Sequence, residues 1–459
     1  MMIVAAGWPS VTSTTAAHGS DSARTHRLSS APRLRMQVLL TASSLRQSLL
    51  FNARGGRPCR THQGHCANLS EASVAGREHQ ARMRRAPPMN KPMLMIPGPV
   101  DPPDEVLRRC GMPVFAHYGS DFAEFYTALV EKARYLFGMS DGSVQIPTGS
   151  GTTAVNMMLT SLCAPDDTVL VLNNGGFGDY AERNLRCLGI PYTSVKAEHG
   201  TAIEPESVRE QMLRRRHEFI YVTHNESSTA VLTPLAPMGE IAREFDALLL
   251  VDAVSSVGGV VIDMDGSGAD VVAGASQKCL ELPPGLAPVA VGARAWDYMR
   301  AMPDRRVPYV LDFMMWEWSM QARGDWHPGL TTGPTTMLYA LDWMIDRVRE
   351  EGLKRREERF RAAGLRLKQG IEALGFTVIT DPRYASPVVT EFVLPEGMLA
   401  EDLHTHYLQE HNVMVGHGGR TNADGESISI RVAHFGRAAE DARIDLLIEI
   451  TREFVDRHG

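Results

Sequence analysis

Residues 247–285 read ALLLVDAVSSVGGVVIDMDGSGADVVAGASQKCLELPPG. Ala247–Val251 is an unbroken apolar run that ends in an acid, Asp252. Val271–Ala273 is a second run, and it leads into Gly274-Ala275-Ser276-Gln277-Lys278. Short runs without polar alternation are the mark of strands covered on both faces. An acid at the carboxyl end of such a strand faces the ligand crevice of an open sheet.

Outward from this stretch the pattern repeats. Val169–Leu172, Phe219–Thr223 and Val289–Val291 read as further strands. Thr152–Leu162 lies between two of them and places Ala154, Val155, Met158, Leu159 and Leu162 on one helical face. Strands alternating with amphipathic helices predict an α/β fold with a mostly parallel sheet covered by helices. A long helix over Met337–Val348 runs into Glu350-Glu351-Gly352, and an Arg/Glu-rich helix and new short strands follow. The expected organisation is therefore a large domain over residues 89–350 and a smaller C-terminal α+β domain over 351–459. The mixed charges of Lys354–Arg361 read as a solvated face.

Residues 1–88 stand apart as an N-terminal extension. Residues 1–90 carry 12 Arg, no Lys and three acids, a balance of +9, whereas the rest of the 459-residue chain stands at −16. The composition is that of a transit peptide or of an overextended start, and the change directly at Met89 favours the second. The expected location is cytoplasmic, or mitochondrial if the extension is a genuine transit peptide. An acidic body argues against nucleic acid, and the lack of a long uncharged apolar run argues against a membrane span. Six scattered cysteines do not form a disulfide framework. Cys59 and Cys66 bracket His62 and His65, but at no zinc-like spacing, so no metal site is expected.

Lys278 is one of six lysines against 41 arginines, and the other five sit among charged or loop residues that read as surface. A lysine in a half-buried loop at a strand end has its pKa lowered by desolvation, which makes a usable amine nucleophile. Asp252 is suited to keep a pyridine nitrogen protonated. Pro147-Thr148-Gly149-Ser150-Gly151-Thr152-Thr153 opens the Thr152 helix with small and hydroxyl residues. It fits a single phosphate and lacks both the P-loop lysine and the dinucleotide spacing. Phe177, in Asn173-Asn174-Gly175-Gly176-Phe177-Gly178, is placed to stack on an aromatic ring.

Together these residues resemble the fold-type I pyridoxal phosphate (PLP) enzymes of aminotransferase class V, alanine–glyoxylate and serine–glyoxylate or pyruvate aminotransferases in particular. The resemblance spans residues 92–455 and also rests on Ile96-Pro97-Gly98-Pro99, Thr223–Thr229 and Ser429–Gly436. It implies that Lys278 carries the cofactor and moves the substrate proton, and that Asp252 holds the pyridine nitrogen. Ser150, Gly151, Thr152 and Gln277 would hold the phosphate, with Ser227 and Val254 lining the ring. Arg431 would clamp the substrate carboxylate, with Gly98 beside it. Thr332 would reach the phosphate of a second subunit, which implies a homodimer with a shared site. The implied reaction is amino transfer from alanine or serine to glyoxylate or pyruvate, acting on small amino-acid and keto-acid substrates. 2-Aminoethylphosphonate–pyruvate and pyridoxamine–pyruvate transaminases share several of these features, and a PLP lyase or desulfurase is the rival from another reaction class.

Overall fold

The computed structural model describes residues 91–302 and 306–458, all within one compact unit. The N-terminal extension and its Cys/His cluster lie outside the described residues. Seven strands form the central sheet: β1 Ser143–Gln145, β2 Val169–Asn173, β3 Tyr192–Lys196, β4 Phe219–Thr223, β5 Leu248–Asp252, β6 Val271–Ala273 and β7 Val289–Val291. Their spatial order is β1-β7-β6-β5-β4-β2-β3. All neighbours pair in parallel except β7, which runs against both β6 and β1.

The apolar runs are explained by burial on both faces. Leu170, Leu172, Ile220, Val222, Leu249 and Val251 enter one hydrophobic core, whereas Val169, Val171, Phe219, Tyr221, Leu248 and Leu250 enter another. A period of two thus puts successive apolar residues of β2, β4 and β5 into one core and then the other, and each large side chain so buried contributes about 1.5–3 kcal/mol. The sheet is flanked by helices including α1 Ser120–Ala133, α2 Gly151–Leu162, α3 Gly176–Leu188 and α4 Thr335–Glu351. The chain winds outward from β2 to β3 and then returns to place β4 on the other side of β2. The carboxyl ends of β2, β4 and β5 therefore border the crevice where strand order reverses.

Helix α4 is followed at once by α5 Leu353–Glu372, with Gly352 at φ 80° between them. A second, antiparallel sheet of β8 Thr377–Val378, β9 Val389–Val393, β10 Gly416–His417 and β11 Ser429–Ala433 lies in the order β8-β9-β11-β10. With α5 and the last helix, α6 Asp441–His458, it encloses a third core around Phe360, Phe392, Ile430 and Phe454. Met95 and Val100 belong to that same core, and Met93–Leu94 pairs with Val413–Met414. The start of the described chain is thus built into the second sheet's core rather than the first.

Two sequence expectations need correction. Lys132 is not a free surface lysine: on α1 it joins Asp342 (2.6 Å) and Asp346 (2.8 Å) of α4. Lys354–Arg361 is not wholly a solvated face, because Arg356 is only 4% exposed. Its Nε donates to the Gly258 carbonyl (2.7 Å), Nη1 to Glu351 (2.7 Å), and Nη2 to both the Cys279 carbonyl (3.2 Å) and Glu281. Mixed charge at helical spacing does not reveal which arginine turns inward. Among the described residues, no helix is long and apolar enough to cross a membrane.

Candidate active site

Asp252 ends β5, in register with Thr223 of β4 and Ala273 of β6. Its carboxylate accepts hydrogen bonds from the Val254 N–H (3.0 Å) and the Tyr221 hydroxyl (3.2 Å). Burial, reinforced by the negative charge of Glu226, pushes its pKa up to about 6, so it is still ionised at neutral pH.

Lys278 follows β6 on a loop whose far side, Gly285–Leu286, pairs with Thr148–Gly149. That pairing seats the lysine loop beside the turn at Ser150. The Lys278 amine donates to the Pro97 carbonyl. Desolvation brings its pKa down to about 8; the positive Arg431 acts in the same direction, while Asp252 and Glu226 oppose it. Gly98 abuts this amine. Its φ is +127°, and a Cβ there would come within 2.6 Å of Nζ, so glycine is required by backbone and by space. The Val100 N–H donates to the Gln277 carbonyl (3.1 Å), so residues 97–100 strap the lysine loop.

Ser150 caps α2, with its N–H donating to Thr153 Oγ1 (3.2 Å). Gly151 touches the Asp252 loop: a Cβ there would lie 2.5 Å from the Val254 methyls. The helix N-terminus and the strand-end acid are thereby fixed to each other. On the other flank, Arg431 of β11 donates to the carbonyls of His417 (2.6 Å) and Ser227 (2.8 Å), which leaves three of its N–H groups for an anion. β11 lies between β9 and β10, so Arg431 is not on a sheet edge.

Two participants were not singled out in the sequence. The Glu226 carboxylate is fully buried and accepts from the N–H groups of Phe177 (2.9 Å), Gly178 (3.4 Å) and Ser228 (2.9 Å). It sits at the N-terminus of α3 and fixes the backbone of Phe177. A polar run immediately after a fully apolar strand was its signal. Tyr221 reads as a core aromatic, and only its period-two relation to Thr223, the register partner of Asp252, betrays it. Thr332 is exposed and bonded to His117 (3.2 Å); no hydrogen bond joins it to Ser150–Thr152 of its own chain among the described residues.

A match to the aminotransferase class-V family model covers residues 114–457. The chain belongs to this family. It is 30% identical over 354 residues to an uncharacterized aminotransferase of Methanocaldococcus jannaschii, covering 76% of this chain and 89% of that protein. It is 27% identical to the alanine–glyoxylate aminotransferase of Rattus norvegicus, over 79% of this chain and 87% of the relative. The crystal structure of ureidoglycine–glyoxylate aminotransferase from Bacillus subtilis superposes with a TM-score of 0.75 at 27% identity, covering 82% of this chain and 95% of that one. Class-V aminotransferases and these structural neighbours are PLP enzymes, and membership makes this chain a transaminase.

Proposed function

We propose that this transaminase holds pyridoxal phosphate at Lys278 and moves the amino group of alanine or serine to glyoxylate or pyruvate. The observation that carries the reading is a buried amine with its pKa at about 8, flanked by an ionised strand-end carboxylate and a partly free arginine. The buried polar atoms support the fit. Among the described residues, Ser227 Oγ and Gln277 Oε1 have no hydrogen-bond partner, an arrangement that is costly unless a ligand satisfies them.

Ser150, Gly151 and Thr152 at the start of α2, with Gln277, would hold the phosphate, where the helix dipole favours an anion. Asp252 would hold the ring nitrogen, Val254 and Ser227 would line the ring, and Phe177 would stack on it. Bound there, the cofactor supplies an electron sink for the bond broken at the substrate α-carbon. Arg431 orients the substrate by its carboxylate through paired N–H bonds, which lysine does not reproduce. Nζ of Lys278 takes the α-proton, and an amine with a pKa of about 8 is close to the best match for that task near neutrality. A desulfurase would need a reactive thiolate, yet burial pushes Cys279 up to about 12.

A second copy of the chain would complete the site. Thr332 and His117 sit beside exposed Tyr118 and Trp326. An apolar patch around a polar hydroxyl suits a subunit contact.

The test is single-turnover conversion of the cofactor-loaded enzyme with alanine, serine, aspartate and 2-aminoethylphosphonate. Alanine or serine should convert fastest, with reversal by glyoxylate or pyruvate. Arg431→Lys should raise the KM for the amino acid by roughly tenfold to a hundredfold, as expected for losing a charge-assisted bond pair. Conversion with the phosphonate alone would overturn the substrate assignment.

A further inference from the structure

Away from the crevice, residues 406–410 form a π-helical turn after the short helix Ala400–Thr405. In an α-helix, residues five apart point about 140° away from each other. A π-turn bonds i to i+5 and brings such a pair onto one face. The pair here is His406 and His411, whose rings meet edge to face with centroids 4.8 Å apart. Glu453 of α6 closes the group from the other side, its Oε2 3.4 Å from His411 Nε2. One possible ligand atom from each of the three residues lies within 4.8 Å of the other two.

A second observation points to a ligand. His406 is only 4% exposed, and among the described residues its Nε2 makes no hydrogen bond; nor does Nε2 of His411. Its other ring nitrogen, Nδ1, pairs with Glu410 Oε1 at 3.2 Å. A buried ring nitrogen left without a partner costs about 1–3 kcal/mol, whereas a leucine would fill the space without that cost.

We infer that His406, His411 and Glu453 form a binding site for a first-row divalent transition-metal ion, with zinc the best match. Two imidazoles and one carboxylate are a borderline-soft donor set suited to zinc, leaving a fourth position for water. Tetrahedral ligands at about 2.0–2.2 Å from the ion stand roughly 3.4 Å apart, a separation that His411 and Glu453 already have, so His406 and this pair must draw together by up to about 1.4 Å. His411 and Glu453 are partly exposed and can make that move. Glu410 is placed to accept from Nδ1 of His406 and so direct Nε2 at the ion, the usual role of a carboxylate behind a ligating histidine. Arg457 bonds to Glu410 at 2.7 Å, which anchors that carboxylate. The bound ion would tie α6 to the turn that leads into Val413–Met414.

Titration of the full-length, cofactor-loaded protein with zinc, in competition with a chromophoric chelator, tests the assignment. One equivalent should bind, and cobalt should give the intense visible bands of a tetrahedral site. His411→Gln and Glu453→Gln should each weaken zinc binding by more than about tenfold. Without metal they should melt with the wild type, yet lose the rise in Tm that zinc gives it. Cys59→Ser/Cys66→Ser should bind as tightly as wild type. Loss of binding in the cysteine variant alone, unaltered binding in both site variants, or no stoichiometric binding at all would overturn the proposal.

Discussion

The loop after β6 and the helix α5 each bury one basic side chain, and they treat it in opposite ways. Among the described residues Lys278 has a single hydrogen-bond partner, the Pro97 carbonyl, and its pKa falls to about 8. Arg356 has four: two carbonyls and the carboxylates of Glu351 and Glu281. A buried cation with four of its five donors met serves as structure. One held short of partners keeps its free energy available for chemistry. The two also touch through the chain, because Arg356 grips the carbonyl of Cys279, the residue after Lys278.

This contrast predicts that the two substitutions separate activity from stability. Lys278→Ala should lower the single-turnover rate by at least about 10³-fold, because it removes both nucleophile and base, while its urea midpoint stays at or above that of wild type. A large loss of stability in this variant would break the contrast. Arg356→Ala should instead cost about 3–5 kcal/mol of unfolding free energy, since the buried Glu281 carboxylate loses the cation that pairs with it; urea unfolding measures it. The smallest effect concerns pH. A lysine lowered to about 8 gains its neutral form at lower pH than an ordinary lysine. Covalent capture of added pyridoxal phosphate by the cofactor-stripped protein should therefore rise about tenfold per pH unit below 8 and flatten above it. Stopped-flow absorbance from pH 6 to 10 would show this, and a rate still climbing at pH 9.5 would show that Lys278 is not desolvated.

The same contrast explains what the sequence discloses. Five of the seven strands of the central sheet read correctly to within a residue because burial on both faces writes an unbroken apolar run, whereas Ser143–Gln145 and Tyr192–Lys196, which carry polar residues, were not read. Asp252 stands out as a charge directly after such a run, and Lys278 as a lone lysine in the small-residue loop that follows another. Arg356 and Lys132 do not stand out, since one inward-turning basic residue among exposed ones leaves the periodicity intact. The hold on Lys278 is written nowhere in side chains, as Pro97 contributes a carbonyl. His406 and His411 were overlooked for a geometric reason: their spacing falls on one face only where the helix widens.

One hydrogen bond described by its neighbours carries a mechanical consequence. The Ala433 N–H donates to the Met95 carbonyl at 2.8 Å, so the strand bearing Arg431 is stitched to the strap that holds Lys278. Close-packed segments transmit small displacements instead of absorbing them. An anion that draws Arg431 inward pulls, two residues further along the strap, on the carbonyl gripping the amine. Under the proposed function, a carboxylate bound at Arg431 would thereby be linked through the backbone to the hold on the Lys278 amine.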